Sequence, residues 1–159
     1  MNTSNDHDIR VLNSLIETTL DSADGYREAA AETDQTMYRS LFEQRSFERQ
    51  QVVADLQQTV RGLGGEPEDD GSILAKAHRA FLDVKHALVR DDKAVVNSVE
   101  NGEDFIKTKF EKALDDSDIS ATTRETIRRA YDSVRSGHDQ MSSLKHNLEG
   151  SDDPTLRRM

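Results

Sequence analysis

The sequence predicts an all-α protein, a bundle of four long helices with an additional short helix in the crossover between the second and third. Apolar residues recur at spacings of three and four along most of the chain, which is typical of amphipathic helices. Proline occurs only 2 times, aromatic residues make up 5%, and there is no tryptophan. This composition favours helices over a β-sandwich. With 159 residues, the chain is long enough for one domain with a substantial core.

The first two helices are expected to form a hairpin. The first begins near Asp6–Asp8, whose carboxylates can cap it, and its apolar stripe continues to Ala30. Thr33-Asp34 separates it from the second helix, which ends at the glycine-rich residues 62–65. Those glycines predict a helix C-cap. The acidic stretch at 66–71 is then an exposed connector.

A shorter helix is expected from Ser72 to about Val89. One continuous helix from Ser72 to Leu114 would be over ~60 Å long, whereas partner helices of about 27 residues reach only ~40 Å. The chain is therefore expected to break or bend before Asp92. The third long helix then extends from Asp92 to Leu114, so a long connection joins two hairpins, which fits a bundle with one crossover.

The last helix follows a short turn and is capped by Ser120 or Asp118. It is expected to continue to about Leu148. We therefore predict that residues 1–150 form the bundle and that residues 151–159 form a disordered C-terminal tail.

Charge and composition exclude several classes of protein. The formal net charge is −10, whereas a nucleic-acid-binding protein would need a basic face. The chain has no cysteine, which excludes disulfides, thiolate metal sites and a cysteine nucleophile. No apolar run approaches the ~18 residues of a membrane span, and the N-terminus lacks the features of a secretory signal. We expect a cytoplasmic protein that binds neither nucleic acid nor membrane.

Several charged residues fall on or near the apolar faces of the predicted helices. Carboxylates and imidazoles on facing helices are what bundles use to bind iron or manganese, with Glu-x-x-His motifs on two of the helices. One interpretation is therefore a metal site. The candidate metal ligands are Glu48, Glu100, Glu103 and His138.

The other interpretation is an internal ion-pair network, and the sequence favours it. Both Glu-x-x-His motifs are incomplete, because Gln51 stands in place of the histidine of one and Arg135 in place of the glutamate of the other. A fixed cation such as Arg135 repels a bound dication. The network would pair the arginines with the inward carboxylates, and breaking a buried pair costs ~3–5 kcal/mol. Its arginines would be Arg45, Arg49 and Arg135. A third possibility is that these charges face solvent.

Nucleophilic and phosphate-binding chemistry has little support in the sequence. No Gly-x-Ser-x-Gly motif is present. The glycines at 62–65 are not followed by Lys-Ser/Thr, so they are no phosphate loop. The acidic residues at 66–70 lack the alternating ligands of an EF-hand. We therefore expect no catalytic residues.

Six segments of the sequence are considered together. They are LNSLIETTLDSADGYREAA (12–30), the Glu48-Arg49 pair, LGGEPEDDGS (63–72), AHRAFLDVKHAL (77–88), ENGED (100–104) and GHDQM (137–141). Together they resemble an uncharacterised bacterial family of ferritin-like four-helix-bundle proteins. The matches extend over nearly the whole chain, so the resemblance implies a ferritin-like bundle, although the function of that family is largely unassigned.

A more distant resemblance is to rubrerythrin-like di-iron proteins. Those proteins carry a Glu-x-x-Glu pair on the third helix, which Glu100 and Glu103 match in form. They carry Glu-x-x-His on the second and fourth helices. In this chain Gln51 replaces the histidine of the second helix and Arg135 replaces the glutamate of the fourth. Thr19 stands where their first-helix glutamate is expected. These departures argue against a di-iron oxidase or peroxidase.

We therefore expect a non-catalytic ferritin-like bundle that binds no cofactor and forms a homo-oligomer. The resemblance alone hints at a role in bacterial stress or housekeeping. The first alternative is an iron- or manganese-binding bundle with redox or metal-storage activity at the four candidate ligands. The second is a partner-binding module that uses an apolar face left uncovered by the short helix at 72–89.

Overall fold

The computed structural model describes residues 3–69 and 92–151. These residues form four α-helices, with no strand among them. The prediction of an all-α fold with four long helices is confirmed. The short helix expected at 72–89 and the tail expected at 151–159 lie outside the described residues, apart from residue 151 itself. The helices are α1 (Thr3–Glu32), α2 (Thr36–Gly62), α3 (Asp92–Leu114) and α4 (Ala121–Ser151).

The helices α1 and α2 pack as an antiparallel hairpin. Midway along it, the Ser46 hydroxyl donates a hydrogen bond to the Ala23 carbonyl at 2.9 Å. Near its open end, the Asn13 side chain donates to the Glu66 carbonyl at 3.0 Å and accepts from the Glu68 N–H at 2.9 Å. The segment that follows α2 is therefore fixed beside the first half of α1.

The helices α3 and α4 form a second antiparallel hairpin. The Tyr131 hydroxyl of α4 donates to the Glu111 carboxylate, late in α3, at 2.6 Å. The end of α3 also lies beside the start of α1, because Nε2 of His7 is 2.8 Å from Oδ2 of Asp116. It follows that α2 and α3 point in the same direction. The chain leaves α2 at one end of the bundle, and α3 begins at the opposite end.

A glycine in the left-handed conformation ends α2. Gly64 has a φ of +86°, which favours glycine because it has no Cβ. The Gly65 N–H donates to the Val60 carbonyl and the Gly64 N–H donates to the Arg61 carbonyl, both at 3.0 Å. These two bonds define a Schellman motif. The C-cap predicted from the glycines at 62–65 is confirmed.

Asp8 has a different role from the one the sequence suggests. The helix α1 begins at Thr3, so Asp8 lies inside it and does not cap it. Its buried carboxylate instead accepts the Ser120 N–H at 3.1 Å and the Thr123 hydroxyl at 2.9 Å. The Ser120 hydroxyl in turn accepts the Thr123 N–H at 3.2 Å, as an N-cap does. The predicted Ser120 cap is confirmed, and Asp8 holds the start of α4 against α1.

Within residues 3–69 and 92–151, the apolar core consists of two clusters at different positions along the bundle axis. The larger cluster lies near the α3–α4 turn, and the smaller lies near the α1–α2 turn. Polar side chains occupy the layer between them. The larger cluster contains Leu12, Leu15, Ile16, Val52, Val53, Leu56, Val60, Ile106, Phe110, Ala113, Ile119, Ile127, Ala130 and Val134. The smaller contains Tyr26, Ala29, Ala30, Tyr38, Phe42, Val96 and Met141.

Candidate functional site

A buried ion pair lies in the layer between the two apolar clusters. Nη2 of Arg49, on α2, is 2.8 Å from Oε2 of Glu103, on α3. The exposed fraction of the side chain is 0% for Arg49 and 1% for Glu103. Both residues were predicted to face inward, and that prediction is confirmed. At this depth the two charges are stable only because they neutralise each other and form hydrogen bonds.

Two side chains of α1 also contact this ion pair. The Tyr26 hydroxyl donates to the second carboxylate oxygen of Glu103 at 2.6 Å, and Nη1 of Arg49 donates to the Ser22 hydroxyl at 2.8 Å. The guanidinium carbon of Arg49 also lies 5.6 Å from the centre of the Tyr26 ring, within the range of a cation–π contact. We call Ser22, Tyr26, Arg49 and Glu103 the buried network. It joins α1, α2 and α3.

The electrostatics of the buried network favour a neutral Tyr26. Burial raises the pKa of the Tyr26 hydroxyl well above its usual value, and the nearby Glu103 carboxylate raises it further. The hydroxyl therefore keeps its proton and donates it in the hydrogen bond to Glu103. The carboxylate accepts from both Tyr26 and Arg49, so each of its oxygens has a partner. Any further ligand of Glu103 would have to share these oxygens with Tyr26 and Arg49.

A glycine of α4 makes room for the guanidinium group. Gly137 is buried in the middle of α4, and a Cβ built there would overlap Nη2 of Arg49. The same Cβ would lie 3.3 Å from Nη1 of Arg45 and 3.4 Å from Oε2 of Glu103. The absence of a side chain at this position is therefore what lets Arg49 reach Glu103.

A second arginine contact lies at the margin of the layer. Nη1 of Arg45 is 2.5 Å from Oε2 of Glu48, one turn along α2, and Nε of Arg45 donates to the Gln140 side chain at 2.8 Å. The Arg45 side chain is largely buried, whereas the Glu48 side chain is 35% exposed. Arg135, which the network hypothesis included, is exposed. Of the three arginines in that hypothesis, Arg45 and Arg49 are thus the two that the structure places in inward-facing ion pairs among the described residues.

The four candidate metal ligands fall into different surroundings. Glu103 and Glu48 each contact an arginine, as described above. Glu100 and His138 come together at the α3–α4 interface, where Asp104 joins them, and one ligand atom from each of the three lies within 4.8 Å of the other two. The binding of metal by the four residues stays a prediction.

Sequence reasoning missed several residues of these sites. The hydrogen bond of Tyr26 could not be predicted because the residue falls on the apolar stripe of α1, and its ring does pack in the core. Asp104 is exposed and drew no attention because it lies off the apolar face. Gly137 did carry a signal, since glycine inside a helix costs about 1 kcal/mol relative to alanine. Such a position indicates that another group approaches the helix closely.

The titration of Asp21, beside Ser22 on α1, predicts a pH-dependent contribution to stability. Partial burial, assisted by the charges of Asp24 and Glu28, raises the pKa of Asp21 from 3.8 to about 7. Between these two pH values the folded chain holds a proton that the unfolded chain has released. The contribution of Asp21 to the free energy of unfolding therefore falls as the pH rises from about 4 to about 7, and it stays low above that.

We accordingly expect the Asp21→Asn variant to melt a few degrees above the wild type at pH 8 and close to the wild type at pH 4. Thermal unfolding followed by circular dichroism at both pH values measures this difference. Asp55→Asn, at an exposed position of α2, is the matched control and should show little change at either pH. If Asp21→Asn raised the melting temperature equally at both pH values, the raised pKa of Asp21 would not be the cause.

The fold and the buried network together define an all-helical bundle whose centre is charged. The chain belongs to the family described as "Domain of unknown function (DUF2383)", whose sequence model matches residues 7–116. That range includes Arg49 and Glu103 and ends before α4. Comparison with curated proteins gives no match. Among the described residues, no helix combines the length and the apolar character needed to cross a membrane.

Proposed function

We propose that this chain is a non-catalytic, ferritin-like helical bundle in which an internal ion pair stands in place of a di-metal centre. The direction of the helices supports the ferritin-like type, because two antiparallel pairs with α2 and α3 parallel require one connection along the bundle. The position of the buried network supports an ion pair in place of a di-metal centre. Bundles of this kind build their metal sites from inward side chains of facing helices, and Arg49 and Glu103 face each other in that region.

The observation that carries this proposal is the 2.8 Å contact between Arg49 and Glu103 at almost complete burial. A metal ion bound by Glu103 would leave the Arg49 charge buried without its partner, at a cost of ~3–5 kcal/mol. The guanidinium would also lie close to the metal and repel it. The Tyr26 hydroxyl donates to the other oxygen of Glu103 and would compete with a metal for it. Arg49 and Tyr26 therefore both act against a metal at the centre of the bundle.

Iron chemistry provides the test. We expect protein purified without chelator to contain no iron or manganese that depends on Glu103 or Glu48. We also expect Fe(II) in air to oxidise no faster in the presence of the protein than in buffer alone. Elemental analysis and the absorbance of Fe(III) measure these two quantities. The variants Glu103→Gln and Glu48→Gln are analysed in parallel. The second of these removes a half-exposed carboxylate, so it should fold normally.

The competing function is an iron- or manganese-binding bundle with redox or metal-storage activity. Two metal ions per chain, lost on substitution of Glu48 as well as Glu103, would establish that function and overturn our proposal. Accelerated Fe(II) oxidation that disappears in the Glu48→Gln variant would do the same.

A further inference from the structure

Three ligand-type side chains converge outside the buried network, on the side where α3 meets α4. Glu100 and Asp104 are four residues apart on α3 and so share one face of that helix. Nε2 of His138, on α4, lies 2.6 Å from Oδ1 of Asp104. One donor atom from each of the three groups lies within 4.8 Å of the others. Neighbouring ligands of a tetrahedral zinc ion are about 3.4 Å apart, from bond lengths near 2.1 Å, so small side-chain movements would bring the three donor atoms to that spacing.

The Glu100 carboxylate is deeply buried, yet the positive charge nearest to it among the described residues is only loosely held. Its side chain is 11% exposed, and among the described residues the cation that contacts it is Lys145, with Nζ 3.4 Å from Oε2. The ion pair of the buried network is much closer, at 2.8 Å. Lys145 itself is 33% exposed, so it can swing towards solvent on its flexible side chain. A cation of higher charge would compensate Glu100 better than this lysine does.

The other nitrogen of His138 also faces a carboxylate. Nδ1 lies 3.4 Å from Oδ1 of Asp139, while Nε2 faces Asp104. Histidine ligands of metals usually donate their second ring N–H to a carboxylate or carbonyl oxygen, which fixes the ring and its tautomer. Asp139 is placed for this role, and Nε2 is then left as the ligand atom.

We propose that Glu100, Asp104 and His138 form a mononuclear site for a divalent transition-metal ion, with Zn²⁺ the best match. An imidazole and two carboxylates suit zinc, and water completes the coordination because Asp104 is largely exposed. Zinc binds most such nitrogen and oxygen sites more tightly than manganese does. Binding requires Lys145 to leave Glu100. The site is separate from the buried network and does not depend on the function proposed above.

A protonated His138 is the competing explanation for the same geometry. An imidazolium ring between Asp104 and Asp139 would act as a fixed cation that links α3 to α4, and no metal would be involved. The two explanations differ in how they treat Lys145. Removing this lysine favours a metal ion, because it removes a competing positive charge, but it adds nothing to an imidazolium bridge.

Zinc titration of metal-stripped, untagged protein by calorimetry tests the proposal. We expect one Zn²⁺ per chain, with His138→Ala and Asp104→Asn each weakening binding by at least about 10-fold. Lys145→Gln should strengthen binding by roughly 2- to 5-fold, since it removes an ion pair worth up to ~1 kcal/mol. Circular dichroism of each variant confirms that the helices are intact.

Two control variants give the result its specificity. Glu48 lies outside the proposed zinc site, so the Glu48→Gln variant should bind Zn²⁺ as the wild type does. His7→Ala removes the histidine of a second group, which includes Asp116 and Asp118 and also brings three ligand atoms within 4.8 Å of one another. Binding lost in His7→Ala and kept in His138→Ala would overturn the proposal. So would the absence of saturable Zn²⁺ binding, or a Lys145→Gln variant that binds no better than the wild type.

Discussion

The Glu103→Gln variant is expected to lose about 3–5 kcal/mol of its free energy of unfolding, the range typical for removal of one partner of a buried ion pair. Glutamine has nearly the same size, and its carbonyl oxygen can still accept a hydrogen bond from Arg49 while its NH2 group faces the Tyr26 oxygen, which can accept. The substitution therefore leaves packing almost unchanged and removes the negative charge. The completely buried guanidinium of Arg49 is then without a counter-charge, and this accounts for the loss. Urea unfolding followed by circular dichroism measures it.

A matched control and a double variant separate the effect of charge from that of packing. Glu48→Gln breaks the half-exposed pair with Arg45, which is expected to contribute at most about 1 kcal/mol. The double variant Glu103→Leu with Arg49→Met removes both charges and should be more stable than either single variant, because buried pairs can often be replaced by apolar residues. A Glu103→Gln loss as small as that of Glu48→Gln would show that water reaches the buried network.

The second large effect is expected at Gly137. The methyl group of Gly137→Ala would overlap Nη2 of Arg49, and Arg49 cannot turn aside without breaking its bonds to Glu103 and Ser22. Forcing an extra carbon into a packed site costs about 1–3 kcal/mol. We expect a loss of that size even though alanine is the better helix former. Chemical unfolding under the conditions used for Glu103 provides the measurement.

Gly102 offers a control with the same glycine-to-alanine substitution. It also lies inside a helix, and a Cβ built there meets nothing within 4 Å. Gly102→Ala should therefore stabilise the protein by up to about 1 kcal/mol, the difference in helix propensity between the two residues. If Gly137→Ala behaved like Gly102→Ala, the proposed close contact between α4 and Arg49 would be wrong.

The sequence was informative about helices and about which polar residues face inward. The period of the apolar residues predicted α3 with the bounds that the structure gives, and it turned Arg49 and Glu103 towards the interior. These are properties of a single helix. His138 lies on the same kind of stripe, yet its side chain is only partly buried, at the edge of the bundle where it contacts Asp104.

Contacts between helices were the part that sequence could not supply. Whether Glu103 meets Arg49, Arg45 or Arg135 depends on which helices are neighbours and on how far each is shifted along its axis. The pattern within one helix contains neither quantity. The role of Asp8 shows the same limit, because a carboxylate near the start of a helix predicts a local cap. Here it binds Ser120 and Thr123, more than a hundred positions away.

The division of the apolar core into two clusters has a consequence for helix alignment. Apolar stripes alone allow a helix to slide by one turn, about 5.4 Å, and still bury a similar surface. A slide of α2 or α3 by that distance would separate Arg49 from Glu103 and leave two charges in an apolar layer without partners. Polar groups in the core of coiled coils select a single alignment in this way. We infer that the ion pair determines which of several similar packings the bundle adopts.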